Sequence, residues 1–349
     1  MRISLFAISL SLLSSAAVAA EPPRFRVDIL PFNDGALGIN DNGQILQMHA
    51  GNGRTVAAIL DGNKQTLLGT LGGALSRPNG INNLGQVVGD SETGVGNTSH
   101  AFLYSDGKMT DLGTLGGNYS SAYGITDNGT VLGSSRLANG DEHGFIYTTG
   151  SGMVDIGTLG GRNSSISDID DAGRILGKSQ YGSGTWYNFI YENGAMTKLE
   201  TPNNLLVSGF QPDGAYVGAY ATDEFGGAAS YFLKDGVVSY PYDIGYIAGI
   251  DPSGYAVGYN THNSLYAVVA MLNGETYRLD DLVTEAGWST FASVDGMNSL
   301  GQIVGQGCRE DTCHSVLLTP VPEPATYAML GAGLAMIGWA RRRQQRATA

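Results

Sequence analysis

The sequence predicts an all-β fold: a seven-bladed β-propeller of four-stranded antiparallel blades, closed by the N-terminal strand and followed by a C-terminal apolar helix. Three observations carry this. A glycine-centred pattern recurs seven times at spacings of 42, 44, 44, 41, 40 and 47 residues. Each copy holds four strand-sized alternating segments separated by turn signals, and 52 of the 349 residues are glycine. That much glycine beside a normal apolar fraction indicates many tight turns, and no capped 3.6-residue periodicity appears outside the two ends.

The pattern is plainest in residues 38–46 (GINDNGQIL), 80–89 (GINNLGQVVG) and 124–133 (GITDNGTVLG). It continues in residues 168–177, 209–218, 249–258 and 296–305, with turn glycines at Gly43, Gly85, Gly129, Gly173, Gly214, Gly254 and Gly301. A period in this range is the mark of a repeat architecture. In the second copy the strands are expected at residues 76–82, 86–91, 100–104 and 109–115, joined by the turns at Gly85 and at Asp106-Gly107. Four antiparallel strands per unit, repeated in this way, describe propeller blades. Glycine precedes the apolar anchor of the first strand in every copy except the fourth, which has Asp168. First strands crowd around a propeller axis, where a missing Cβ allows close approach. The seventh copy lacks a fourth strand, and residues 25–30 carry the alternation of one, so the N-terminal segment is expected to complete that blade.

The ends read differently. Arg2, an apolar stretch over residues 3–13 and the small residues up to Ala20 form a secretory signal with cleavage after Ala20. The organisation expected is therefore 1–20 signal peptide, 21–320 propeller and 321–349 sorting segment. In the last, Pro322-Glu323-Pro324 precedes an apolar run over residues 325–340 and then Arg341-Arg342-Arg343. The run is marginally long enough to cross a bilayer, with the arginines on the cytoplasmic side. This order resembles the PEP-CTERM sorting signal of Gram-negative bacteria, with an uncut membrane tail as the alternative. The resemblance implies an exosortase-type processing peptidase as partner, membrane attachment before processing, and a cell-envelope or extracellular location in hosts that make exopolysaccharide. Residues 57–161 resemble the HAF repeat of extracellular bacterial proteins through His100-Ala101-Phe102 and the GTLGG elements at residues 69–73, 113–117 and 157–161. No activity follows from that second resemblance.

The chain carries a formal charge of −13; without Arg2, Arg341, Arg342, Arg343, Arg346 and Glu323 it keeps 14 basic and 31 acidic side chains, about −17. Such a surface repels phosphate backbones, and nucleic acid is not an expected partner. His100, His143 and His314 share one repeat position with Tyr187 and Tyr266, a structural signature, and no metal-ligand spacing occurs. The GTLGG elements lack the Lys-Ser/Thr of a phosphate loop and read as turns after the outermost strand. Asp168, Asp170 and Asp171 could be calcium ligands or solvated turn residues. Cys308 and Cys313 fall between the second and third strands of the last copy and are expected to form a disulfide after export; a redox-active pair is the sharper alternative, without the usual C-x-x-C.

The remaining candidates lie on loops. Connections from second to third strand and from blade to blade open on one face, which should display Tyr119, Tyr181, Trp186, Tyr259 and Trp288, with Tyr220 and Phe225 beside them. Flat aromatic rings among Asn, Ser and Asp suit sugars, and packing between blades is the competing role. The function expected is a non-enzymatic surface or matrix protein, without catalytic residues, metal or cofactor, whose partners are exopolysaccharide or surface proteins. The alternative is an extracellular polysaccharide hydrolase or lyase, which needs two converging carboxylates; Asp168 and Asp295 are the pair to inspect.

Overall fold

A computed structural model describes residues 22–321 except 171, 183, 211–214, 222–227, 240–245, 253–254, 261–266, 273–274 and 311. The predicted C-terminal helix, the sorting residues Pro322, Glu323 and Pro324, and the cleavage residue Ala20 lie outside the described residues.

The repeats become antiparallel quartets. These are β2 (Ala36–Ile39), β3 (Ile45–Gly51), β4 (Arg54–Asp61) and β5 (Lys64–Gly69); β6 (Ser76–Ile81), β7 (Val87–Glu92), β8 (Ser99–Ser105) and β9 (Lys108–Asp111); and β10 (Gly116–Ile125), β11 (Val131–Leu137), β12 (Glu142–Thr148) and β13 (Gly152–Asp155). Next come β14 (Ser164–Ile169), β15 (Ile175–Tyr181), β16 (Thr185–Glu192) and β17 (Ala195–Lys198), then β18 (Val207–Phe210), β19 (Tyr216–Ala221), β20 (Ala228–Lys234) and β21 (Val237–Ser239). The chain continues through β22 (Tyr246–Ile250), β23 (Ala256–Asn260), β24 (Ala267–Leu272) and β25 (Glu275–Arg278) to β26 (Trp288–Met297), β27 (Ile303–Arg309) and β28 (Thr312–Val321). There are five four-stranded sheets and one of eight strands, in which β6–β9 and β10–β13 are joined by a single parallel bridge from Tyr119 to Ser99. Helix among the described residues is limited to α1 (Leu279–Leu282) and a 3-10 turn at Pro202–Asn204.

The N-terminal strand β1 (Arg24–Ile29) pairs antiparallel with β28, from Arg24 opposite Val321 to Ile29 opposite Val316, and supplies the fourth strand that the last repeat lacks. At the inner edge, Asn298 Nδ2 donates to Asn40 O at 3.0 Å and Ser299 N donates to Asp41 Oδ1 at 2.9 Å, tying the last sheet to the first.

The core lies between neighbouring sheets. Phe102, Phe145, Phe189 and Tyr231 occupy one repeat position and are fully buried. Each covers a glycine on the adjacent strand, and at Gly133 a Cβ would stand 2.2 Å from Ser121 O and 2.5 Å from the Phe145 ring. Crowding by the next first strand accounts for some of the first-strand glycines and not others: a Cβ would lie 3.2 Å from Gly124 Cα at Gly80, 2.8 Å from Met297 Cβ at Gly249 and 3.1 Å from Gly38 Cα at Gly296, whereas at Gly124 it would meet nothing within 4 Å and at Gly38 only Leu46 of the same sheet, at 3.9 Å. The fourth strand is shorter than the alternation suggested, ending at Asp111 instead of residue 115. Its carboxylate accepts the Gly113 N–H at 2.7 Å, and Gly113 has φ of +73°, so the chain leaves the ladder there.

Once out of the ladder, the GTLGG elements act as clips between sheets. Ser120 Oγ accepts the Ala101 N–H at 2.7 Å and donates to Gly113 O at 2.6 Å, while Leu115 N donates to Ser135 Oγ at 2.8 Å. Ser76 and Ser164 repeat the first arrangement, and Leu71 and Leu159 repeat the second. One sheet on, Asn188 does the same work: its Oδ1 accepts Val207 N–H and its Nδ2 donates to Leu205 O.

Candidate functional site

Because strands alternate in direction, the β6–β7 and β8–β9 turns lie at one end of a sheet and the β7–β8 loop and inter-sheet connections at the other. At that second end, between β10–β13 and β14–β17, a cleft of about 790 Å³ is bordered by Asn118, Arg136, Ala138, Glu142, Asn163 and Trp186. Arg136 comes from the end of β11, Glu142 from the start of β12 and Trp186 from β16, so the β11–β12 and β15–β16 loops supply facing walls.

Its polar groups are held in place. Glu142 N donates to Asn163 Oδ1 at 2.9 Å, Asn163 Nδ2 donates to Gln180 Oε1 at 3.0 Å, and Ser134 Oγ donates to Glu142 Oε1 at 2.7 Å. Tyr123, bonded to the same Ser134, has its hydroxyl pKa raised by burial and therefore stays a neutral donor. Two cations sit over nearby rings, Arg136 Cζ 5.6 Å from the centroid of Tyr119, which lies outside the lining, and Lys178 Nζ 5.8 Å from that of Trp186. Nearby, Asp141 of the β11–β12 loop and Arg162 of the β13–β14 connection form a 2.7 Å ion pair. The arrangement can bind a flat polar ligand against the Trp186 ring, with a guanidinium and a carboxylate to orient it.

Of the candidates, Trp186 borders the cleft directly, Tyr119 lies behind Arg136, and Tyr181, 60% exposed, packs edge-on against Tyr187 at 6.1 Å in the Trp186 hairpin. Tyr259 and Trp288 are elsewhere, against the core that holds Phe25 and Phe291. The Tyr259 hydroxyl accepts Val294 N–H at 2.8 Å and donates to Val294 O at 3.0 Å, and Trp288 stacks on Phe291 at 5.7 Å. Phe225 and the Tyr220 side chain fall outside the described residues. Sequence reasoning passed over Arg136, Glu142 and Asn163, whose only signal was polar residues crowded on two successive loops.

His100 Nδ1 is 2.9 Å from both carboxylate oxygens of Asp111, and His143 stands in the same relation to Asp155. The recurring histidine thus has a recurring partner on the outermost strand, eleven or twelve residues later. Asp168 takes the place of an axial glycine: its carboxylate accepts the N–H groups of Phe210 and Ile169, both at 2.8 Å, and burial raises its pKa. Asp295 bonds Ser293 at 2.8 Å, its pKa also raised by burial. These carboxylates belong to β14 and β26, with the sheets β18–β21 and β22–β25 between them in the chain. Asp170 is occupied within its own turn by Arg174 and two backbone N–H groups, and Asp171 falls outside the described residues. Among the described residues no three His, Cys, Asp or Glu side chains are grouped to hold a metal ion. Cys308 and Cys313 face each other across β27 and β28 and form a disulfide.

Residues 320–344 match the PEP-CTERM protein-sorting motif. The motif marks an exported protein sorted to the cell envelope, and implies an exosortase-type processing peptidase as partner. No curated protein matches the chain. Among solved structures, the β-propeller domain of the Trilobed protease from Pyrococcus furiosus, described as having an open velcro topology, aligns with a TM-score of 0.57 at 11% identity over 85% of this chain and 95% of its own. YCF48 bound to D1 peptide aligns with a TM-score of 0.52 at 14% identity over 88% and 98%. A puromycin-hydrolyzing peptidase of Mycobacterium tuberculosis gives 0.51 at 12% identity over 85% and 52%. At such identities the likeness is one of fold: an all-β propeller of antiparallel four-stranded blades.

Proposed function

We propose that the chain is a non-enzymatic binding protein of the cell envelope, a ring of seven blades that holds exopolysaccharide in the cleft between β10–β13 and β14–β17. One quartet per repeat, with the last sheet bonded to the first, supports the count and the closure. The cleft carries the functional reading. Trp186 offers a ring face for a sugar, and Asn118, Asn163, Arg136 and Glu142 offer hydrogen bonds at its edge. Residues 1–20 act as the export signal, and the host is a Gram-negative bacterium that makes exopolysaccharide. A glycan array probed with the folded protein tests the reading, with Trp186→Ala as comparison. Binding should fall at least about tenfold in the variant, the equivalent of about 1.4 kcal/mol, at an unchanged melting temperature. Silence of the folded wild-type protein across the array, or equal binding by Trp186→Ala, overturns it.

A further inference from the structure

The end of the described chain fixes which way the cleft faces. Val321 is still within the ladder, opposite Arg24, and β28 runs antiparallel to β27. It therefore ends beside the β26–β27 turn, where Pro320 Cγ would meet a Cβ on Gly301 at 3.3 Å. That turn belongs to a linked set. Asn298 Nδ2 donates to Asn40 O at 3.0 Å, Asn40 Nδ2 to Asn82 O at 2.9 Å and Asn82 Nδ2 to Thr126 O at 3.0 Å, so these first-to-second-strand turns form one braced surface. Leu84 and Leu300 project from it, 69% and 61% exposed. The cleft is at the opposite end of the sheets.

Only Pro322-Glu323-Pro324 separate Val321 from the apolar run that begins at Ala325. Three residues of extended chain reach about 10 Å. The headgroup layer is itself about 5–8 Å deep on each side of the hydrocarbon. We propose that, before the sorting signal is removed, the propeller rests on the lipid surface through this turn face, with Leu84 and Leu300 at the headgroups and the cleft directed away from the membrane. The inference rests on reading residues 325–340 as a membrane anchor. Asp41 and Asp127 lie on the same face, their carboxylates bonded to backbone N–H groups, so the short tether and not charge attraction holds it there.

Leu84 and Val95 allow a matched test, being 69% and 73% exposed at opposite ends of the same strand, β7. Six strand residues place them about 20 Å apart along the sheet. Leu84→Cys and Val95→Cys are made in the chain carrying its C-terminal segment, labelled with a fluorophore, and reconstituted in phosphatidylcholine vesicles containing a headgroup-nitroxide quencher. The disulfide leaves no other thiol to label. Quenching should be several-fold stronger at position 84, should persist at high salt, and should even out when a thirty-residue Gly/Ser linker of about 30 Å reach is inserted after Val321. Protein that floats with the vesicles yet quenches equally at both positions, or more at 95, overturns the orientation. Protein that fails to float overturns the anchor reading, and the orientation with it.

Discussion

Ser120→Ala removes a single oxygen from a joint between sheets. That oxygen accepts the Ala101 N–H at 2.7 Å and donates to Gly113 O at 2.6 Å, and both Ser120 and Ala101 are fully buried. The amide is left without a partner and out of reach of water, at about 1–3 kcal/mol. The Gly113 carbonyl is half-buried and can recover a bond to solvent, so its loss adds at most about 1 kcal/mol. The expected destabilisation is about 3 kcal/mol, read as a lower urea midpoint with the slope unchanged. Ser76 and Ser164 bridge equivalent groups, at 2.9 and 2.6 Å and at 3.1 and 2.6 Å, so alanine there should cost the same to within about 1 kcal/mol. Amide exchange provides the local check, since the Ala101 N–H should lose protection well before its strand neighbours. A loss below about 0.5 kcal/mol, or an Ala101 amide that still exchanges slowly, would refute the bridge.

Two further outcomes follow from the inner and outer edges. Asp168 has its pKa raised above the ordinary value of 3.8 by burial, so its contribution to stability is greatest when protonated and is lost as pH rises through the raised value. Asp168→Asn should therefore gain on wild type as the pH is raised above the ordinary carboxylate value in paired denaturation curves; a pH-independent difference would contradict this. Phe25, 1% exposed in the core with Leu279, Leu282 and Phe291, seals β1 into the last sheet, and Phe25→Ala should cost about 3–5 kcal/mol, measured by urea unfolding. A cost under about 1 kcal/mol would mean that β1 is not what closes that sheet.

The strands and their turns were legible because alternation and turn chemistry are local. So was β1, since a repeat short of one strand and a leftover segment with that strand's pattern suggest each other. The inter-sheet clips were not, because Ser120 and Ala101 are 19 residues apart and belong to different repeats. Nothing in a strand's alternation says that a small polar residue will replace a ladder partner in the neighbouring sheet. The fourth strands were read too long for a related reason: Leu112 continues the apolar alternation and its N–H still donates to Ala101 O at 2.9 Å, but the chain turns away at the next residue, Gly113. Among the site candidates, Trp186 and Tyr259 look alike in sequence, each an aromatic near a second-to-third-strand connection. Whether such a ring meets solvent or the next sheet depends on the neighbour's side chains, which periodicity does not encode. Arg136 and Glu142 escaped notice because they do not recur, and departures from a repeat are where a binding site is expected to sit.

The two joints that close the chain differ in kind. At the inner edge, the Asn298–Asn40 bond at 3.0 Å repeats the Asn40–Asn82 and Asn82–Thr126 bonds at 2.9 and 3.0 Å, so the last sheet meets the first as the first two sheets meet their successors. A repeat can bury its faces only against neighbours, and this joint supplies neighbours for the two sheets that would otherwise lack them. The discontinuity is displaced to the outer edge, where β1 takes the place of a fourth strand. There its hydrogen bonds complete a sheet already formed by β26–β28, and no edge has to be strained to meet another. The same placement brings Arg24 opposite Val321, so the chain enters the domain and leaves it through one sheet, at the end remote from the cleft. Closure by the N-terminal strand and an exit at the turn face are therefore consequences of one register, set by the pairing of β1 with β28.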